Sequence, residues 1–241
     1  MKVQTATGDA YGSYFPLVSL SLIFGVLLDL GINNYNNRKI SAHPGRFQNY
    51  FSAIIIVRFG LAILFTGILM LVGILDHYPI HRLFLLFILG MNQVFLSSIL
   101  YIRSNFTALG HFKTDSFFSV LDRVLMILGI AWFLFGIGDI TIEKFVWIQF
   151  FGYLITFLTS ITVLLIIGKP SFPKLNIRFS KTLLKKSAPY AVIVLLMSAY
   201  NNSDSIMIDK LLPNGAEENS LYAQSFRVLT AMNNYAFLFA V

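Results

Sequence analysis

Five stretches of this chain run for most of a bilayer's width without a charged residue. They cover residues 10–28, 59–75, 83–102, 145–168 and 187–203, which is 19, 17, 20, 24 and 17 residues. Crossing the hydrocarbon layer as a helix takes roughly 20 mostly apolar residues. Two further apolar stretches carry charges: 117–137, with Asp122 and Arg123, and 220–241, with Arg227. Inside lipid no water meets a backbone polar group, so only helices and closed barrels can cross. A transmembrane barrel alternates apolar and polar residues with period two, and these runs are continuous. The reading is an all-α polytopic membrane protein of about seven helices, near 12–36, 47–75, 82–108, 115–138, 142–168, 183–212 and 217–241.

Composition closes off the alternatives. Of 241 residues, 56% are hydrophobic and only 12% are charged. A soluble domain carries about 25% charged residues, so a soluble enzyme is excluded. Disorder, which needs low hydrophobicity and high charge, is excluded as well. With no cysteine, a disulfide framework, a thiolate metal site and a cysteine nucleophile are all ruled out. No HExxH, glycine-rich phosphate loop or G-x-S-x-G elbow occurs. His43, His77, His81 and His111 sit at connections or helix ends and form no ligand pair, so no metal is expected. The basic residues follow the membrane pattern rather than a patch, which argues against nucleic acid.

Lys and Arg alternate by connection. The connections after the first, third and fifth spans hold Arg38, Lys39 and Arg46, then Arg103 and Lys113, then Lys169, Lys174, Arg178, Lys181, Lys185 and Lys186. The opposite side has Lys2, Arg82 and Lys144, and collects Asp9, Asp76, Asp139, Glu143, Glu217 and Glu218. Under the positive-inside rule the odd-numbered connections are cytoplasmic. The first ten residues lack the basic region and cleavage site of a signal peptide. The chain stops within an apolar run. Residues 8–14 and 215–222, both acidic and glycine-containing, open their helices alike, as repeats of a longer protein would. Truncation at both ends is the expectation.

Several short motifs occur in a fixed order. Tyr11-Gly-Ser-Tyr-Phe-Pro-Leu precedes Phe24 and Leu28-Asp29-Leu30-Gly31-Ile32. Arg103-Ser-Asn105-Phe-Thr-Ala-Leu-Gly110 precedes Asp115-Ser116 and Asp122-Arg123. Ser187-Ala-Pro189-Tyr-Ala precedes Asp204-Ser-Ile-Met-Ile-Asp209-Lys and Tyr222-Ala-Gln-Ser-Phe-Arg227. In this order the chain resembles the polysaccharide (lipid-linked oligosaccharide) flippases of the multidrug/oligosaccharidyl-lipid/polysaccharide exporter superfamily. The resemblance implies two six-helix lobes, of which the first helix and everything after the eighth are missing here. It implies residues 1–168 as an incomplete N-terminal lobe, 169–182 as a basic cytoplasmic linker and 183–241 as the start of a C-terminal lobe. It also implies a bacterial inner-membrane location, lipid-linked oligosaccharide as cargo for O-antigen or capsule export, membrane lipid as surroundings and a monomer when full length. No cofactor is expected beyond a coupling proton or sodium ion. Two alternatives stay open: a non-functional fragment of a flippase, and a drug/cation antiporter of the same superfamily, which would favour acids and aromatics over buried arginines. A membrane glycosyltransferase or polymerase needs a larger outer loop or an acidic catalytic motif, and every outer loop here is about ten residues or fewer.

Polar residues inside a membrane are costly and default to site candidates. Arg58 and Arg227 are candidate contacts to the pyrophosphate of such a lipid, expected to face one inter-lobe cavity. Arginine stays charged and binds phosphate bidentately. Asp204 or Asp122 would hold them when the cavity is empty, and a permanent structural ion pair is the competing reading. Asn92, Gln93, Gln224 and Asn234 are candidate sugar contacts, though amides equally bond neighbouring helices. Asp29, Asp122, Arg123 and Asp204 are candidates for ion coupling or gating. For Asp29 the alternative is a helix-interface residue, and for Asp122 and Arg123 a structural polar stripe with Asp115, Ser116 and Ser119.

Overall fold

Helix is the dominant local state wherever the apolar runs lie, because each backbone donor and acceptor is then met within its own segment. A computed structural model describes residues 8–42, 47–136, 141–168 and 177–240. Among them are eight α-helices and no strand. They are α1 (Gly8–Gly25), α2 (Ile32–Ala42), α3 (Phe47–Leu75), α4 (Ile80–Ala108), α5 (Phe112–Gly136), α6 (Ile142–Gly168), α7 (Ile177–Leu211) and α8 (Gly215–Ala240). Six helices have a segment long and apolar enough to cross a membrane: Tyr11–Leu28, Ile54–Leu75, Ile80–Ala108, Phe112–Gly136, Ile142–Gly168 and Ala191–Leu211. The chain is an all-α polytopic membrane protein. α8 has the length, but Gln224, Arg227, Asn233 and Asn234 depress its hydropathy.

The expected first helix, 12–36, is broken. α1 tightens into a 3-10 turn at Val26–Leu28. Leu30 and Gly31 then take left-handed backbone, with φ of 46° and 76°. Glycine adopts that conformation freely, whereas leucine must be held there by its surroundings. The Asp29 carboxylate accepts the Asn33 backbone N–H at 3.1 Å. That bond meets one of the orphan donors at the start of α2. α2 is too polar to span. Ile32, Asn36 and Ile40, four apart, make its buried face.

Central to the bundle is α4, which packs against α1, α2, α3, α5 and α6, while α7 and α8 pack on each other and on α1. At Gly12 a β-carbon would run into the Ala216 carbonyl, so α1 and α8 approach there with backbone against backbone. Lipid is as apolar as leucine, so packing of this kind, with interhelical hydrogen bonds, holds membrane helices together. Two apolar clusters form the core. One centres on Leu17, Phe65, Leu69, Leu86 and Val146. The other, near the α2 end, centres on Ile32, Ile40, Ile54, Phe106 and Leu164. Large apolar side chains on the outside, such as Ile63, Leu71, Ile74 and Ile127, mark faces suited to lipid.

Candidate functional site

Arg58 lies four residues inside the apolar span that begins at Ile54, or about 6 Å along the helix. It is 8% exposed. A charge so placed needs partners, and three elements supply them. Nη1 donates to Asp29 Oδ1 and to Asn33 Oδ1, each at 3.1 Å. Nη2 donates to the Ser97 carbonyl at 2.7 Å and to Ser97 Oγ at 2.6 Å. The guanidinium also lies 4.8 Å from the centroid of the Tyr101 ring, a cation–π distance. Tyr101 in turn stacks on Phe51 at 5.9 Å. Asp29 keeps 34% of its side chain exposed.

Local geometry explains the assembly. The left-handed turn at Leu30 and Gly31 redirects the chain, so that Asp29 and Asn33 both reach α3. On α4, Ser97, Tyr101 and Asn105 recur every four residues and face the same way. Asn105 accepts a hydrogen bond from Asn36 Nδ2 at 2.8 Å and donates to the Tyr101 carbonyl at 2.7 Å. Asp29 and Arg58 form the ion pair. Asp204 and Asp122, the acids expected beside the arginines, are elsewhere. Asp204 is exposed on α7 and accepts from the Tyr222 hydroxyl at 3.0 Å. Asp122 is buried on α5, 3.8 Å from Arg123 Nε, and Arg123 is 75% exposed.

Arg227 does not share the space around Arg58. It is exposed on α8, its guanidinium 5.1 Å from the centroid of the Tyr11 ring. The two arginines therefore meet opposite ends of α1. Asn92 is buried, donating to the Val146 carbonyl at 3.5 Å, and its Oδ1 has no partner among the described residues. Gln93 is half-buried opposite Gly25, and Gln224 is exposed. The Asn234 side chain lies outside the described residues. Among the described residues no three His, Asp or Glu side chains cluster as metal ligands would.

A cavity of about 190 Å³ adjoins Arg58, lined by α3, α4 and α6 with Leu28 at one side. Its polar lining is Arg58, Ser97, Ser98 and Tyr101, and the rest is apolar. Asn33, Ser97 and Tyr101 were not identified as partners of Arg58 from the sequence. The four-residue recurrence of polar side chains on α4 is the signal that could have found two of them. Arrangement and chemistry together describe a membrane-embedded cation with a partly exposed counter-ion, beside an apolar space.

A family model described as polysaccharide biosynthesis protein matches residues 7–241. The chain belongs to that family. No curated protein and no solved structure matches it. This family member is thus a multi-pass membrane protein of polysaccharide biosynthesis, and the ion pair of Asp29 and Arg58 lies inside its helical bundle.

Proposed function

We propose that the protein flips lipid-linked oligosaccharide, a polysaccharide precursor, from the cytoplasmic to the outer leaflet of a bacterial inner membrane by alternating access. The family match across residues 7–241 of a chain built from membrane helices carries this reading. In it the odd-numbered connections are cytoplasmic, residues 1–168 belong to one lobe, 169–182 link, and 183–241 begin the second. The protein is a transporter rather than an enzyme, and works as a monomer when full length.

Arg58 supports the reading through its electrostatics. A pyrophosphate entering a low-dielectric space needs a compensating cation, and Arg58 is already held there by Asp29. An arriving anion competes with Asp29 for the guanidinium. Asp29, partly exposed, is then free to take a proton or a sodium ion from water. Arg227, on the other helix pair, is the second phosphate contact, engaged at a different stage of the cycle from Arg58. Asn92, Gln93, Gln224 and Asn234 bond sugar hydroxyls, while Asp122, Arg123 and Asp204 act in coupling or gating. A drug/cation antiporter, the alternative within the superfamily, fits the buried arginine less well, because that charge repels a cationic cargo.

The test is transport of a fluorescent lipid-linked oligosaccharide in proteoliposomes, with complementation of a strain that lacks its own flippase. Arg58→Lys and Arg227→Lys should each lose most transport while still inserting and accumulating normally. Wild-type transport by both variants would refute the assignment, and transport of a cationic dye in place of the lipid would favour the antiporter.

A further inference from the structure

The first ten residues of α7, the longest of the described helices, are unlike the rest of it. Arg178, Lys181, Lys185 and Lys186 fall there, and no acid lies between Glu143 and Asp204. Directly after Lys186 the chain runs uncharged from Ser187 to Ser203. In helical register positions 178, 181 and 185 are three and four apart, so they share a face, and like charges so spaced repel. The amino end of a helix carries partial positive charge, so cations there are disfavoured a second time, and the first turn of α7 has no acid. The local sequence therefore offers these cations no counter-charge.

The fold adds cations from a second element. Ser13, near the start of α1, meets Arg82, and Lys210, near the end of α7, meets Asp76, so α1 and α7 run in opposite directions. Ser198 on α7 donates to the Leu22 carbonyl on α1 at 3.1 Å. The chain beyond Leu22 thus meets α7 on the side of Ser198 toward Lys186, and both the turn at Val26–Leu28 and α2 pack against α7. α2 holds Arg38 and Lys39, and no acid lies between Asp29 and Asp76. Ile32, Asn36 and Ile40 form its buried face, and position 38 falls about 200° round the helix from Asn36.

From this juxtaposition we infer that the foot of α7 together with α2 is a docking surface for the anionic headgroups of membrane phospholipids. The inference takes its cytoplasmic side from the topology in the flippase reading and does not depend on the cargo. Lys181, Lys185 and Lys186 lie one to six positions before Ser187, at most about 9 Å along the helix. That is within the roughly 8–10 Å over which charges act at physiological salt. An anionic leaflet supplies fixed negative charge at that depth, and clustered Lys and Arg beside a span are attracted to it. A soluble polyanion has no such tie to the membrane surface. Orientation by itself needs only more positive charge on one side. It does not need cations repeated on one helix face and packed beside a second basic helix.

The experiment puts the full chain in nanodiscs and compares spin-labelled phosphatidylglycerol with spin-labelled phosphatidylcholine. The protein-restricted signal should favour phosphatidylglycerol about tenfold. That preference should vanish in about 1 M salt, where the screening length is about 3 Å. It should also vanish when Arg178, Lys181, Lys185 and Lys186 are all changed to Gln, and persist when the three lysines are changed to Arg. The chain has no cysteine, so Ser41→Cys with an impermeant thiol reagent checks that each variant keeps its orientation in cells, and the salt series needs no variant. Equal restriction of both lipids, a preference that survives high salt, or displacement of the lipid by soluble polyphosphate at equal phosphate concentration would each overturn the inference. Labelling of Ser41→Cys from the outer side would overturn the cytoplasmic placement. Transport of lipid-linked oligosaccharide without any lipid preference refutes the surface and leaves the flippase reading standing. A lipid preference in a protein that transports none refutes the flippase reading instead.

Discussion

Arg58 and Asp29 are worth more together than apart. Arg58 is nearly enclosed, so removing its acid leaves an uncompensated buried charge, a change that costs about 3–5 kcal/mol in buried pairs of soluble proteins. Asp29 is only partly buried, which lowers that figure here. Asp29→Asn should therefore lower the unfolding midpoint in detergent, and adding Arg58→Gln should restore part of the loss. A double variant that sums the two single losses would show that the pair is not coupled. At the opposite end of the bundle, Tyr78 sits in the connection between α3 and α4. Burial first, then the nearby Asp76 and Asp209 carboxylates, push its phenol up to about 12. Below the ordinary value of about 10 both folded and unfolded chains keep the proton, so Tyr78 does not alter stability there. As pH rises past that value the unfolded chain ionises first, and folded stability falls. Thermal scans between pH 9 and 11 should show a smaller loss for Tyr78→Phe than for wild type, and identical curves would remove Tyr78 from the account.

The break between α1 and α2 is an element-scale device. Gly31 has φ of 76° and Leu30 has 46°. Gly31→Ala introduces a side chain into left-handed backbone and should cost on the order of 1 kcal/mol. Its effect should be read as a fall in melting temperature and as weaker protection of the Asn33 amide in hydrogen exchange, since that amide bonds Asp29. Unchanged protection would mean that the turn does not position the carboxylate. Gly12 works by absence of volume. Any larger residue must push the Ala216 backbone away. Gly12→Leu should therefore separate α1 from α8 at a cost of about 1–3 kcal/mol, the usual range for overpacking. A label pair on the two helices would register the change in distance.

For the molecule as a whole, polar contacts at one end tie α7 to the α3–α4 connection. Lys210 Nζ lies 2.6 Å from Asp76 Oδ1, and Arg82 donates to Ser13 on α1 at 3.0 Å. Lys210 is 43% exposed, and exposed pairs contribute about 0–1 kcal/mol, so the pair matters through where it is rather than how strong it is. The proposed alternating access would require helices on either side of such a contact to separate. The chain has no cysteine, so Asp76→Cys with Lys210→Cys makes a unique pair for a short bifunctional thiol reagent. Crosslinking should stop transport and its reversal should restore it. Transport that continues through the crosslink would show that this end does not open.

The spans themselves were legible because hydrophobicity is local. An apolar run long enough to cross a bilayer has helix as its only solution there, whatever its neighbours do, and α3 and α6 lie where their runs predict. Arg58 stood out for the same reason, since a single charge in such a run is conspicuous without any fold. Its partners were not legible. Asp29, Asn33 and Ser97 lie 25 to 39 positions away in the chain, and what brings them together is a left-handed turn and the packing of α4 against α2 and α3. Gly31 hints at that turn, but Leu30 beside it does not, because a leucine takes a left-handed conformation only when surrounding contacts hold it there. The placing of Arg58 and Arg227 at opposite ends of α1 likewise came from helix packing, which depends on pairs of surfaces that no single segment contains.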